Sequence, residues 1–131
     1  MHHLEQAINT MKVVFLDRDG VINRDTGYVH QWQNFEYIEG ALEGMRILNK
    51  NGFEIVIITN QSGIARNYFK LKDVKIFHKF MNHELSIANA KINDFFICGC
   101  HPHFPKKNKN CKCRKPSKTM LIKALKKWSL L

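Results

Sequence analysis

Acidic side chains run out early in this 131-residue chain: none follows Asp94. Cysteine is absent before Cys98 and then occurs four times, ending at Cys113. No apolar run approaches the roughly 20 residues that a membrane-spanning helix needs, so no membrane partner is expected. The longest candidate, 55–59, has the length of a strand. The first ten residues include His2, His3 and Glu5 but no apolar core of the kind that marks a secretory signal. Repeats and low-complexity tracts are also missing. What remains, 44% hydrophobic and 11% aromatic, suits one folded domain and not a disordered chain.

The loss of acids after Asp94 concentrates charge. Ten of the 21 Lys and Arg residues lie beyond that point, while the first 94 residues balance 11 basic against 11 acidic groups. A basic tail of this kind reads as a solvated face plus a loop that meets an anionic ligand. It lacks the interleaved aromatics of a nucleic-acid surface, so no nucleic-acid partner is expected. The cysteines form the pattern C-x-C-x10-C-x-C, from Cys98 and Cys100 to Cys111 and Cys113. Disulfide scaffolds spread cysteines through the chain, so this clustering favours a metal in a reducing compartment, here the cytoplasm. Four soft donors suit tetrahedral Zn²⁺ in a closed, structural site. His101 and His103 are close enough in sequence to serve as alternative ligands.

Residues 12–17 (KVVFLD) read as a buried parallel strand that ends in acids and a glycine. Residues 53–59 (FEIVIIT) form a second strand and 94–98 (DFFIC) a third. Helical spacing of apolar residues appears over 41–49, 71–89 and 119–131. Residues 20–39 have no clear periodicity and read as a long functional loop. This alternation predicts an α/β sandwich with a parallel sheet and right-handed crossovers. Residues 1–11 stand apart as an N-terminal extension, with a core over 12–131 and a metal loop over 98–113.

In such a sheet the ligand sits beyond the carboxyl ends of the strands. The first strand delivers Asp17 and Asp19 there, the second delivers Thr59, Asn60, Gln61 and Ser62, and the third leads to Arg114 and Lys115. An aspartate can take up a phosphoryl group, splitting ester hydrolysis into two steps. A second acid can protonate the leaving oxygen and then deprotonate water. A hard cation such as Mg²⁺ would offset the repulsion between phosphate and carboxylate. Thr59 can donate its hydroxyl to the phosphoryl group and Lys115 can neutralise its charge.

The segments FLDRDGVIN, ITNQSGIAR and CKCRKP resemble the successive signatures of the haloacid dehalogenase superfamily. More narrowly they are similar to the D-glycero-D-manno-heptose-1,7-bisphosphate 7-phosphatases and the related histidinol phosphatases. The resemblance covers Lys12 to about Met120. It implies a Rossmann-like three-layer sandwich without a cap domain. It makes Asp17 the nucleophile and a Mg²⁺ ligand, and Asp19 the acid/base and a second ligand. Thr59 and Lys115 would hold the transferred phosphoryl group. Asp25, Thr26, Gly27 and Tyr28 match the substrate loop of the heptose enzymes, and Asn60, Gln61, Ser62 and Arg114 match their other substrate contacts. Arg114 suits a second phosphate, which its planar fork could grip. Aligned without a gap, Cys98, Cys100, Cys111 and Cys113 take the places of the family's zinc ligands, Cys100 replacing a histidine.

The superfamily also carries a later strand that ends in an acidic motif. This chain has no acid beyond Asp94 to supply it, and residues 116–120 (PSKTM) depart from the usual P-x-P-G-M. The resemblance therefore implies a core short of its C-terminal strands, either monomeric or weakly dimeric. The expected partner is a small phosphorylated sugar or related phosphomonoester. A catalytically silent, zinc-stabilised module that binds phosphate or a partner is the contrasting expectation.

Overall fold

The computed structural model describes residues 11–103 and 111–130. Most of the expected N-terminal extension, the middle of the cysteine loop at 104–110, and Leu131 lie outside the described residues.

Three runs of β-branched and aromatic residues form the sheet: β1 (Lys12–Leu16), β2 (Phe53–Asn60) and β3 (Asp94–Cys98). The strands are all parallel, in the order β1-β2-β3. Pairing sets Leu16 opposite Ile57 and Cys98 opposite Asn60, which brings Asp17, Thr59 and the loop after β3 to one end of the sheet. Strand β2 is central, and Ile55, Val56 and Ile57 are each 0% exposed. Successive strand side chains point to opposite faces, so both faces of β2 must be covered.

Helices α1 (Ala41–Lys50) and α2 (Leu71–Ile87) cover one face, where Met45, Met81 and Leu85 pack with Ile55 and Ile57. Helix α3 (Thr119–Lys127) covers the other, where Met120 meets Ile58 and Cys98. Burying each such side chain stabilises the fold by about 1.5–3 kcal/mol. The result is the three-layer α/β sandwich that the sequence predicts.

Irregular backbone between α2 and β3 needs partners for its buried polar groups. Asparagines supply them. Asn49 accepts the Lys91 N–H at 2.8 Å and donates to the Lys91 carbonyl at 3.2 Å. Asn82 does the same for Ile92, both bonds being 2.9 Å. At the far end, Trp128 Nε1 and Lys127 Nζ meet Asp94 Oδ2 at 3.0 and 2.8 Å, tying the end of α3 to the start of β3.

The expected element boundaries move slightly. Strand β2 continues to Asn60, α2 stops at Ile87 and α3 at Lys127. The long loop contains a single 3-10 turn, Trp32–Asn34. Aromatic contacts hold it: Trp32 stacks on Phe35 at 4.7 Å, and Trp32 meets Phe80 of α2 at 5.5 Å. Among the described residues no strand follows α3, and no helix is long and apolar enough to cross a membrane.

Candidate active site

A cleft of about 690 Å³ opens at the carboxyl end of the sheet. It is lined by Asp17, Asp19, Asp25, Gly27, Tyr28, Asn60, Gln61, Ser62, Arg114, Lys115 and Pro116. Ten of the twelve expected catalytic and substrate residues therefore share one cavity. Thr26 is exposed outside this lining, and Thr59 is fully buried beneath it.

Asp17 follows the last residue of β1, and Lys115 reaches it from the loop after β3. Lys115 Nζ lies 2.9 Å from Asp17 Oδ1 and donates to the Ile58 carbonyl at 3.0 Å. Asn60 holds that loop in place. Its Oδ1 accepts the Lys115 N–H at 3.0 Å and its Nδ2 donates to the Lys115 carbonyl at 3.4 Å. The side chain expected to touch substrate is thus engaged with the backbone of the cationic residue.

Gln61 is engaged in a similar way. Its Nε2 donates to Asp19 Oδ2 at 3.0 Å and to Thr59 Oγ1 at 2.8 Å. The side chain is 3% exposed, so it links two expected catalytic groups while offering only an edge to the cleft. The loop 25–28 is shaped by backbone that side chains rarely favour: Gly27 has φ 96° and Tyr28 φ 53°. A tyrosine in the left-handed region costs on the order of 1 kcal/mol, and such strain clusters at functional sites. Tyr28 packs edge-on against Tyr68 at 4.8 Å, and the Arg66 guanidinium lies 5.8 Å from its ring centre.

Three site residues escaped the sequence reading. Arg18 lies between the two aspartates and is 0% exposed. Its Nε and Nη2 both donate to Asp19 Oδ1, at 3.0 and 2.8 Å. Burial pulls this guanidinium below its usual value, and Asp19 opposes that pull most strongly, followed by Asp17 and Asp25. Asn23, also 0% exposed, donates to the same Asp19 oxygen at 3.0 Å. The third is His78 on α2, 3.1 Å from Arg18 Nη1. Arginine has no acceptor, so His78 Nε2 accepts and the imidazole is neutral. Burial, and then the Arg18 charge, push its pKa down to about 3. The only hint in the sequence was a titratable residue one step from the apolar stripe of α2.

The four cysteines converge. Their Sγ atoms all lie within 4.8 Å of one another, and in place of the free thiols expected, Cys98 is disulfide-bonded to Cys113 and Cys100 to Cys111. Across those pairs, Cys100 and Cys113 are 3.7 Å apart and Cys111 and Cys113 are 3.4 Å apart. A tetrahedral Zn²⁺ with Zn–S bonds of about 2.3 Å would hold four thiolates about 3.8 Å apart, so the donor set suits such an ion in type once both pairs are reduced. His101 and His103 stand outside the group; the His103 N–H donates to His101 Nδ1 at 3.1 Å. The cluster adjoins the loop that carries Lys115, since Arg114 Nη1 donates to the Cys100 carbonyl at 3.1 Å. Asp17 and Asp19 both line the cleft, where the Asp17 carboxylate and the Asp19 backbone carbonyl are hard oxygen donors of the kind that suit Mg²⁺.

Parallel sheet, paired aspartates at its carboxyl end and the opposing lysine define a haloacid-dehalogenase-type core. Residues 12–130 match the family described as Polynucleotide kinase 3 phosphatase, and the chain belongs to that family. It is 41% identical over 124 residues to the D-glycero-alpha-D-manno-heptose-1,7-bisphosphate 7-phosphatase of Photorhabdus laumondii, covering 93% of this chain and 68% of the relative. It is 40% identical over 117 residues to the D-glycero-beta-D-manno-heptose-1,7-bisphosphate 7-phosphatase of Escherichia coli K12, covering 88% of this chain and 61% of the relative. The chain thus spans about two thirds of the length of these relatives. The crystal structure of a D,D-heptose 1,7-bisphosphate phosphatase from B. bronchiseptica, complexed with magnesium and phosphate, superposes with a TM-score of 0.80 at 29% identity. That match covers 91% of this chain and 64% of the other.

Proposed function

We propose that this chain is a Mg²⁺-dependent phosphomonoester hydrolase acting through an aspartyl phosphate on Asp17. The proposed substrate is D-glycero-D-manno-heptose 1,7-bisphosphate, which loses its 7-phosphate. One observation carries the reading: Lys115 Nζ sits 2.9 Å from Asp17 Oδ1, with both groups facing the cleft. A nucleophilic carboxylate and the cation that neutralises the incoming phosphoryl group belong together in this way.

In the first step an Asp17 oxygen attacks phosphorus and the bond from phosphorus to the ester oxygen breaks. Asp19 gives its proton to the departing sugar oxygen. Thr59 and Lys115 hold the transferred group. In the second step Asp19 takes a proton from water, the resulting hydroxide attacks phosphorus, and Asp17 is released as carboxylate. Mg²⁺, held by Asp17 and Asp19, would offset the charge gathered at the phosphoryl group. Asp25, Thr26, Gly27, Tyr28, Ser62 and Arg114 are the proposed substrate contacts. Burial, then the charges of Arg114, Arg66 and His103, hold the His101 imidazole below its usual range. Arg114 and Lys115 both line the cleft, and their positive charge supports a substrate with a second anionic group.

Zn²⁺ on Cys98, Cys100, Cys111 and Cys113 is the proposed structural metal, which would fix the loop that carries Arg114 and Lys115. Thiolate ligands require reducing surroundings, consistent with the cytoplasm. The substrate is tested by measuring phosphate release from heptose 1,7-bisphosphate and from histidinol phosphate, each with Mg²⁺. A higher kcat/KM for the heptose compound, with the 7-phosphate lost, is expected. Preference for histidinol phosphate would replace the sugar assignment, and release from neither would sink the enzymatic one.

A further inference from the structure

Asp19 is held very unevenly by its neighbours. Its Oδ1 accepts three donors: Arg18 Nε at 3.0 Å, Arg18 Nη2 at 2.8 Å and Asn23 Nδ2 at 3.0 Å. Its Oδ2 accepts one, Gln61 Nε2 at 3.0 Å. A crowded oxygen holds negative charge and an uncrowded one has room for a proton. On the proposed reading of Asp19 as the acid/base, Oδ2 is the oxygen that carries the proton to the leaving group.

That asymmetry depends on how Arg18 is turned. The guanidinium is fully buried and can make its contacts only within the protein. Nη2 also donates to the Val29 carbonyl at 2.6 Å and to Gln61 Oε1 at 3.3 Å. Nη1 donates to the imidazole nitrogen of His78 at 3.1 Å. The imidazole is itself fixed, lying flat against Phe95 of β3 with ring centres 4.1 Å apart and planes 14° from parallel. His78 is 3% exposed and lines no part of the catalytic cleft.

We propose that His78 is a positioning residue for the acid/base Asp19, acting through Arg18. By accepting from Nη1 it turns the opposite edge of the guanidinium, Nε and Nη2, onto Asp19 Oδ1. Without an acceptor at position 78 the buried Nη1 would seek another partner and the fork would rotate. Asp19 would then lose two of the contacts that orient its carboxyl group for proton transfer. The inference rests on the proposed function and assigns to a residue outside the cleft a part in proton transfer.

The readout must separate proton donation from general damage. An ester with a good leaving group, 4-nitrophenyl phosphate, needs little protonation as its bond breaks, whereas a sugar phosphate needs it fully. We would measure kcat/KM with Mg²⁺ for heptose 1,7-bisphosphate and for 4-nitrophenyl phosphate on the full chain and three variants. His78→Phe keeps the stack on Phe95 and removes the acceptor. His78→Gln restores an acceptor. Asp19→Asn supplies the reference for a lost acid. His78→Phe should lower the sugar-phosphate value ~10-fold or more and the aryl value less than ~2-fold, a weakened form of the Asp19→Asn pattern. His78→Gln should recover most of the loss. Each ratio comes from one preparation, so a partly unfolded variant does not distort it. An equal fall with both substrates, or no fall with either, would overturn the inference while leaving the catalytic reading intact. A wild type that releases phosphate from neither would overturn both.

Discussion

Asn60 grips the backbone of Lys115 from both sides, accepting its N–H at 3.0 Å and donating to its carbonyl at 3.4 Å. The two residues are 55 positions apart in sequence, on the end of β2 and in the loop after β3. An asparagine that reads as a substrate contact is therefore the fastening that holds the lysine against Asp17. Asn49 and Asn82 use the same two-sided grip on Lys91 and Ile92.

The first prediction follows from that fastening. Asn60→Ala should lower kcat/KM by about 10²-fold, near the loss expected for Lys115→Ala, since both remove charge stabilisation from the phosphoryl group. Residues acting through one contact are non-additive, so the double variant should be little worse than Lys115→Ala alone. Fully multiplicative losses in a steady-state double-mutant cycle would mean that Asn60 acts elsewhere.

A second prediction concerns the pH dependence of stability. His78 has a folded pKa of about 3 against an ordinary value of 6.5. The unfolded chain thus binds a proton at this residue that the folded chain refuses. The contribution of the neutral imidazole is complete above pH 6.5 and is lost as pH falls toward 3, with a slope of up to about 1.4 kcal/mol per pH unit. Urea unfolding at pH 7.5 and pH 5 should show a larger drop for the wild type than for His78→Gln. Equal drops would place the pH dependence elsewhere.

Gly63 yields a third. A Cβ at this position would fall into the ring of Phe69, which is itself buried and stacked on His30 at 4.5 Å. Gly63→Ala should therefore destabilise the chain by about 1–3 kcal/mol through overpacking. Thermal unfolding of the variant reports this, and an unchanged midpoint would show that the ring can move aside.

The cysteine cluster gives the fourth. Protein made under reducing conditions should hold one Zn²⁺ per chain by elemental analysis, and Cys100→Ser should weaken that binding. Removing the metal with a chelator should lower both the unfolding midpoint and the turnover, because the loop carrying Arg114 and Lys115 loses its anchor. Retention of zinc in Cys100→Ser together with its loss in His101→Ala would reassign the ligand.

Much of this was legible in the sequence, for physical reasons. Strand β2 is buried on both faces and β1 and β3 are largely half-buried, and such strands announce themselves as apolar runs ending in polar residues. The gathering of Asp17, Thr59 and Lys115 follows from parallel strands, whose carboxyl ends share one edge. The cysteine spacing likewise foretold that Cys98, Cys100, Cys111 and Cys113 would converge. Arg18 was hidden because a charged residue beside two acids reads as solvated, whereas Val29, Gln61 and His78 meet it from other segments of the chain. His78 was hidden for the same reason: its partner lies 60 residues away. The turn at Trp32–Asn34 depends on ring contacts with α2 that no local pattern encodes.

The account turns on Asp17 as the nucleophile. The most direct measurement is phosphate release from heptose 1,7-bisphosphate with Mg²⁺ by the wild type and by Asp17→Asn, paired with mass analysis of acid-quenched peptides. The account predicts release by the wild type alone and a phosphoryl group on the peptide containing Asp17. Release by Asp17→Asn at the wild-type rate, or a phosphoryl group on another residue, would contradict it.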